Sequence, residues 1–311
     1  MAKARGDDFS ATSGIRHLLR LESDALCRHG HRDYCGAVDI TVDLARTLIA
    51  AQFPQYADLG VTRVEPGGND NHTFRIGAEL SARLPSAEGY VAAVQKEHSW
   101  LPTLGRQLPV AVPEPVGLGM PGEGFPWPWS LNRWLPGEDA LHARDIDRAG
   151  LAVSIGRFLA ALHSIDGMAG PAAGMHSFYR GSSLTHYDQE TRSMLRTPGE
   201  ADVWNNAMAT QWLGAPTWFH GDLAPGNLLI EKSLLSAVID WGTCGVGDPA
   251  CDLAIAWTFF GGDERRMLSA EVALDADTWA RARGWALWKA LITGGAEAER
   301  VIAEVIADPV V

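Results

Sequence analysis

His220-Gly221-Asp222-Leu223-Ala224-Pro225-Gly226-Asn227, followed thirteen residues later by Asp240-Trp241-Gly242, is the stretch on which the reading of this chain turns. It sets two carboxylates and a carboxamide at the spacing that phosphoryl transfer from a nucleotide needs. Asp222 can accept or orient the proton of an attacking hydroxyl. Asn227 and Asp240 can hold Mg²⁺ against phosphates. Pro225-Gly226 lets the chain turn sharply between Asp222 and Asn227. The bland alternative is a solvated loop with ordinary Asp and Asn turn residues. A Ser-His-Asp hydrolase would need a placed nucleophile, and no Gly-x-Ser-x-Gly elbow exists in the chain.

The protein-kinase form of such a loop reads His-Arg-Asp, four residues, Asn, then Asp-Phe-Gly. Here Gly221 stands in place of the Arg and Trp241 in place of the Phe, while the offsets from His220 to Asp222 to Asn227 are kept. With Ile239-Asp240-Trp241-Gly242 and Gly247-Asp248-Pro249-x-x-Asp252-Leu253-Ala254, the chain resembles the aminoglycoside phosphotransferase family over roughly residues 37–311. These are small-molecule kinases. The resemblance implies an α+β class and a bilobal, protein-kinase-like fold. A small N-terminal lobe would hold an antiparallel sheet and one main helix, and a larger C-terminal lobe would be mostly helical. It divides the chain into a poorly ordered extension (1–36), a nucleotide-binding lobe (37–133) and a C-terminal lobe with catalytic loop and substrate pocket (134–311). It gives His220 a bracing role and makes Asp252 an acceptor of backbone hydrogen bonds from the catalytic loop.

The composition fits that class. The 311 residues are 46% hydrophobic and 21% charged, enough for a sizeable core. No apolar run approaches a membrane span and no signal peptide is visible, so the expected location is cytoplasmic, with no membrane partner. The net charge of -12 argues against nucleic acid, which needs clustered Lys and Arg. An acidic balance suits a cationic small substrate, and equally suits plain solubility. Four cysteines in such a chain do not read as a disulfide framework. Cys27, His29, His31 and Cys35 are zinc-ligand types, but their spacing is unlike known sites, so a solvated tail is the preferred reading.

Apolar residues at helical spacing predict a helix over 42–53, with Thr41 or Asp43 near its cap. Strands are predicted at 61–64, 72–76 and 80–84, then a helix over 89–104. Pro113 and Pro115 force an extended stretch at 112–119, and 129–135 reads as the last strand of the sheet. Helices are predicted over 152–163, with His163 as a satisfied packing residue, and over 281–293, with Trp285 and Trp288 in the core.

A kinase site also needs a lid over the phosphates and a cation on them. Gly67, Gly68 and Asn69, between the first two strands, would let backbone approach phosphate oxygens. By itself that loop is an ordinary hairpin turn. Arg83 sits on the third strand where such kinases carry Lys. It supplies the same charge with a stricter fork. Glu97 on the next helix would orient Arg83, or is one more solvated helix charge. By position, the backbone of Arg133 and Leu135 would face the adenine edge.

The resulting expectation is a phosphotransferase that uses ATP and Mg²⁺ on a hydroxyl of a small molecule. By resemblance the substrate is an aminoglycoside-type antibiotic. A macrolide, a sugar or an amino alcohol is the alternative within the class, and a non-catalytic nucleotide-binding regulatory protein the alternative outside it. Tyr179, Arg180, Tyr187, Asp188, Asp263, Glu264 and Asp275 are candidate pocket walls, each with a plain surface reading beside it. The chain is expected to be a monomer or a homodimer.

Overall fold

The computed structural model describes residues 38–307 apart from Pro66 and Asn69. The Cys27–Cys35 cluster, the 1–36 extension and Asn69 therefore lie outside the described residues. Helix α1 (Val42–Gln52) begins where the Thr41 hydroxyl accepts the Leu44 N–H at 3.1 Å, closing an orphan donor of the first turn. Ala45, Leu48 and Ile49 follow at helical spacing and are buried.

Strands β1 (Val61–Arg63), β2 (Asn71–Ile76) and β3 (Leu80–Pro85) come next, then helix α2 (Val91–Leu104) and strands β4 (Pro115–Gly119) and β5 (Trp129–Arg133). All pairings are antiparallel and the order is β1-β2-β3-β5-β4. Pro115 opens an edge strand, where a missing N–H costs no central ladder bond. Alternation along β3 sends Leu80, Ala82 and Leu84 into a core with Ile49, Phe74, Trp129 and Leu131. Arg83 is thereby turned to the other face, toward α2. Strand β5 ends at Arg133, two residues short of the predicted end. Leu135 precedes Pro136, and Gly137 turns the chain away at φ 130°.

The second lobe has its own, larger core. It holds β6 (Glu138–Asp139), α3 (Arg148–Ser164), α4 (Asp188–Met194), α5 (Pro198–Met208), β7 (Thr217–Phe219), β8 (Leu228–Glu231), β9 (Leu234–Val238), β10 (Gly245–Gly247), α6 (Ile255–Thr258), α7 (Gly262–Glu271), α8 (Ala276–Thr293) and α9 (Gly295–Ala307). Two small sheets, β10-β7 and β6-β8-β9, lie among the helices. They were not predicted, because strands of two to five residues are too short to display an alternation. They position the site all the same. His220–Asn227 connects β7 to β8, and Asp240 lies just past β9. Helix α8 is buried on nearly all faces, with Trp279, Trp285 and Trp288 in the core, so it forms the axis of the lobe.

Candidate active site

The loop after β7 is pinned from below. The N–H groups of His220 and Gly221 donate to Asp252 Oδ2 and Oδ1, both at 2.7 Å. Asp252 is fully buried, so its charge is carried by two charge-assisted hydrogen bonds. The His220 ring accepts the Asp222 N–H at Nδ1 (3.2 Å) and faces the Ile239 carbonyl with Nε2 (3.0 Å). These contacts assign the Nε2–H tautomer. They also tie the Asp222 loop to the strand that delivers Asp240. Gly221 has φ 89°, and a Cβ there would stand 2.8 Å from the Thr243 carbonyl oxygen, so only glycine fits. Asn227 Nδ2 donates to the Asp222 carbonyl at 2.9 Å, which leaves its side-chain oxygen for another partner.

Asp240 is held at φ 64°, a left-handed conformation uncommon for a residue with a side chain. Such strain persists only where surrounding structure imposes it. Arg83 does so. Its Nη2 donates to Asp240 Oδ1 at 2.8 Å, and its Nη1 to Glu97 Oε1 and Oε2 at 3.1 and 3.0 Å. Burial opposes the guanidinium charge, but Glu97 and Asp240 outweigh it and hold its pKa above the ordinary value. Arg83 thus joins β3, α2 and the segment after β9, and Glu97 is buried, not a solvated helix charge. Its neighbour Lys96 is also buried, with Nζ 3.0 Å from His176 Nδ1 across the lobes. Asp70 completes the cleft. Burial, then the charges of Asp240 and Asp222, push its carboxyl up to about 7. Asp70 and Asp240 line the same cleft, and carboxylate oxygens are hard donors of the kind that suits Mg²⁺.

The remaining nucleotide-side candidates are less constrained. Gly67 and Gly68 are exposed, and a Cβ at either would meet nothing nearer than 3.6 Å. Packing within the chain therefore does not demand glycine there. The Arg133 N–H donates to Glu114 O at 2.9 Å and so is committed to the sheet, whereas Leu135 makes no hydrogen bond to another described residue.

Beside Asp222 lies a second recess, lined by Arg180, Leu223, Cys251, Trp285, Trp288 and Lys289. Lys289 Nζ donates to Asp222 Oδ1 at 2.9 Å. Burial acts to raise the Asp222 carboxyl, but Lys289, aided by Arg180, overrides it and holds the carboxyl below its ordinary value. Of the seven predicted wall residues, Arg180 lines the recess and Tyr187 packs behind it against Trp288, ring centroids 4.4 Å apart. Asp188 accepts from the Trp204 indole at 2.7 Å, Glu264 pairs with Arg148 at 2.7 Å, and Asp275 caps α8. Tyr179 stacks on His186 and Asp263 pairs with Arg266. Lys289 was missed because one lysine in a tryptophan-rich helical run carries no motif. Only its place on the helix, four residues after Trp285, could have flagged it.

Residues 61–285 match the phosphotransferase enzyme family. No curated protein matches the chain. Among solved structures, the GDP complex of wild-type aminoglycoside 2'-phosphotransferase-IIIa is similar with TM-score 0.66 and 17% identity, over 86% of this chain and 99% of that one. Macrolide 2'-phosphotransferase MphH from Brachybacterium faecium is similar with TM-score 0.60 and 22% identity, over 85% and 98%. Macrolide 2'-phosphotransferase type I is similar with TM-score 0.61 and 20% identity, over 88% and 99%. These likenesses establish the fold as the bilobal α+β fold of such kinase-like enzymes. Among the described residues no helix is long and apolar enough to cross a membrane.

Proposed function

The chain belongs to the phosphotransferase enzyme family, and from that premise we propose that it moves the γ-phosphoryl group of ATP to a hydroxyl of a small antibiotic-type molecule. The observation that carries this reading is a pair of fixed carboxylates whose charges both reach Asp70. Asp222 sits on a loop pinned by Asp252 and His220, and Asp240, in the same lobe, is gripped from across the cleft by Arg83. The lobe at 37–133 binds the nucleotide. Gly67, Gly68 and Asn69 cover its phosphates, Arg83 oriented by Glu97 contacts them, and the backbone of Leu135 with the Arg133 carbonyl meets the base. The lobe at 134–311 carries the acceptor.

Asp222 is the catalytic residue, orienting the acceptor hydroxyl and receiving its proton. Asn227 and Asp240 are the metal ligands. The oxygen-only donor set fits Mg²⁺, which when bound neutralises charge on the phosphates. Every named group comes from one chain, so the reading holds for a monomer or a homodimer. Use of ATP places the reaction in the cytoplasm.

An aminoglycoside-type antibiotic, a cationic polyol, is the first acceptor class. The solved aminoglycoside phosphotransferase named above and the net charge of -12 support it. A macrolide is the second, and one observation favours it. The recess beside Asp222 carries two cations, Arg180 and Lys289, and two indoles, which suits a largely apolar acceptor better than a polycation.

The test is ADP release from MgATP across aminoglycosides, macrolides and simple amino alcohols, with Asp222→Asn as control. Release stimulated by an acceptor and lost in the control supports the reading and names the class. ATP binding with no turnover on any acceptor turns it toward a regulatory protein.

A further inference from the structure

We propose that Lys289 is a positioning residue for this transfer, gripping one oxygen of Asp222 so that the other is presented to the acceptor hydroxyl. The inference rests on the phosphotransferase reading above and deepens it. Asp222 Oδ1 accepts from Lys289 Nζ at 2.9 Å. Oδ2 makes no hydrogen bond to another described residue. The carboxylate is therefore asymmetric, with one oxygen committed and one open.

The catalytic loop cannot supply such a grip itself. Leu223, Ala224, Pro225 and Gly226 offer no side-chain donor, and the carboxamide of Asn227 is spent on the Asp222 carbonyl. The cation comes instead from α8, 67 residues further on. Its placement is rigid. Arg281, two turns earlier on α8, donates to Asp248 Oδ2 at 2.6 Å, and both side chains are buried. Asp248 caps the 3₁₀ turn Pro249–Ala254, which contains Asp252. Asp252 in turn holds the His220 and Gly221 N–H groups at 2.7 Å. Helix α8 and the loop are thus fixed to one another by a short chain of ionic hydrogen bonds. The indoles of Trp285 and Trp288, in the core, fix the same helix face.

Both side chains of the pair are about one quarter exposed, Lys289 27% and Asp222 26%, as a recess floor open to a substrate requires. The other charged or titratable groups near Asp222 are Arg180, His220, Cys251 and Asp252 from its own lobe and Asp70 from across the cleft. Arg180 does not substitute for Lys289. Its Nη1 is committed to the Phe178 carbonyl and the Tyr187 hydroxyl, and its guanidinium lies 4.6 Å from the Trp288 ring.

In the step served, the acceptor oxygen forms a new bond to the γ-phosphorus while the bond to the β,γ-bridging oxygen breaks. ADP leaves with that electron pair, and the hydroxyl proton passes to Asp222 Oδ2. Lys289 acts through Asp222. It stops the carboxylate from rotating.

The experiment compares Lys289→Met and Lys289→Arg with the wild type by two readouts. The first is the ¹³C NMR titration of the Asp222 carboxyl, assigned with Asp222→Asn, which needs no turnover. The second is the pH profile of MgATP-dependent turnover with the best acceptor. In Lys289→Met the Asp222 titration and the acid limb of kcat/KM should both move up. Its kcat should fall about 100-fold with KM for ATP within twofold, and Lys289→Arg should restore most of both. An unchanged Asp222 titration with unchanged kcat in Lys289→Met overturns the proposal. Wild-type protein that turns over no acceptor overturns the phosphotransfer reading and the positioning role with it. The NMR titration then shows whether the ion pair itself stands.

Discussion

Arg83 Nη2 donates to Asp240 Oδ1 at 2.8 Å, linking the third strand to a residue 157 positions away on the opposite lobe. The same guanidinium grips Glu97 with its other terminal nitrogen. A planar fork can serve two carboxylates at once, where an ammonium is one point charge. Arg83→Lys should therefore keep the charge but lose one of the two contacts. The expected outcome is a KM for ATP raised on the order of tenfold, about 1.4 kcal/mol, with kcat changed less. Arg83→Met should instead leave Glu97 buried without a cation and cost about 3–5 kcal/mol in urea unfolding. Wild-type nucleotide affinity in Arg83→Lys would show that the fork is not used.

Asp222→Asn should remove proton acceptance while keeping the loop's shape. The His220 and Asp252 contacts that pin the loop are made by backbone N–H groups. Transfer should fall by about 100- to 10,000-fold, the span usual for loss of a general base. MgATP affinity, read by calorimetry, should stay within a few-fold. Turnover at the wild-type rate would remove Asp222 from its role.

Much of this was legible in the sequence because motif and element coincide. The His220–Asn227 stretch lies on a loop between two strands, Arg83 on the cleft face of β3 and Glu97 buried behind it. What stayed hidden has physical causes. Lys289 is placed by the packing of a helix, and tertiary packing has no local signature. Asp70 directly follows Gly67, Gly68 and Asn69 in the chain, but what makes it notable is burial beside Asp240 and Asp222. Asp188, Glu264 and Asp275 were candidate pocket walls, each with a plain surface reading beside it. A capping or ion-pair role uses the same residue types, and the structure commits all three to such roles.

His163 was expected to be a satisfied packing residue, yet its Nε2 is buried with no hydrogen-bond partner among the described residues. Burial lowers its pKa to about 4, against 6.5 for a free imidazole. Between those values the unfolded chain binds a proton that the folded chain refuses. Stability is therefore lost as pH falls through that window. The contribution is on the order of 1–3 kcal/mol. His163→Leu should gain stability relative to wild type as pH drops from 7 to about 4.5, read from urea midpoints at matched slopes. A difference between the two proteins that is constant with pH would mean that His163 titrates normally in the fold.

Gly221 separates a backbone requirement from a chemical one. Its φ of 89° lies where a side chain is strained, and a Cβ would stand 2.8 Å from the Thr243 carbonyl oxygen. That carbonyl belongs to backbone and cannot swing aside as a flexible side chain would. Gly221→Ala should cost about 1–3 kcal/mol of stability through conformation and contact together. Because Asp222 is the next residue, the loop's shift should also reach the carboxylate. A displacement near 1 Å is enough to lower kcat about 100-fold. Gly226→Ala is the matched control on the same loop. Its φ is not positive, and a Cβ there would meet only the Leu141 side chain at 3.4 Å, so both stability and kcat should stay close to wild type. Equal effects of the two substitutions would mean that the loop tolerates or rejects side chains generally. A kcat lost only in Gly221→Ala would show that the bend at this residue sets the aim of Asp222.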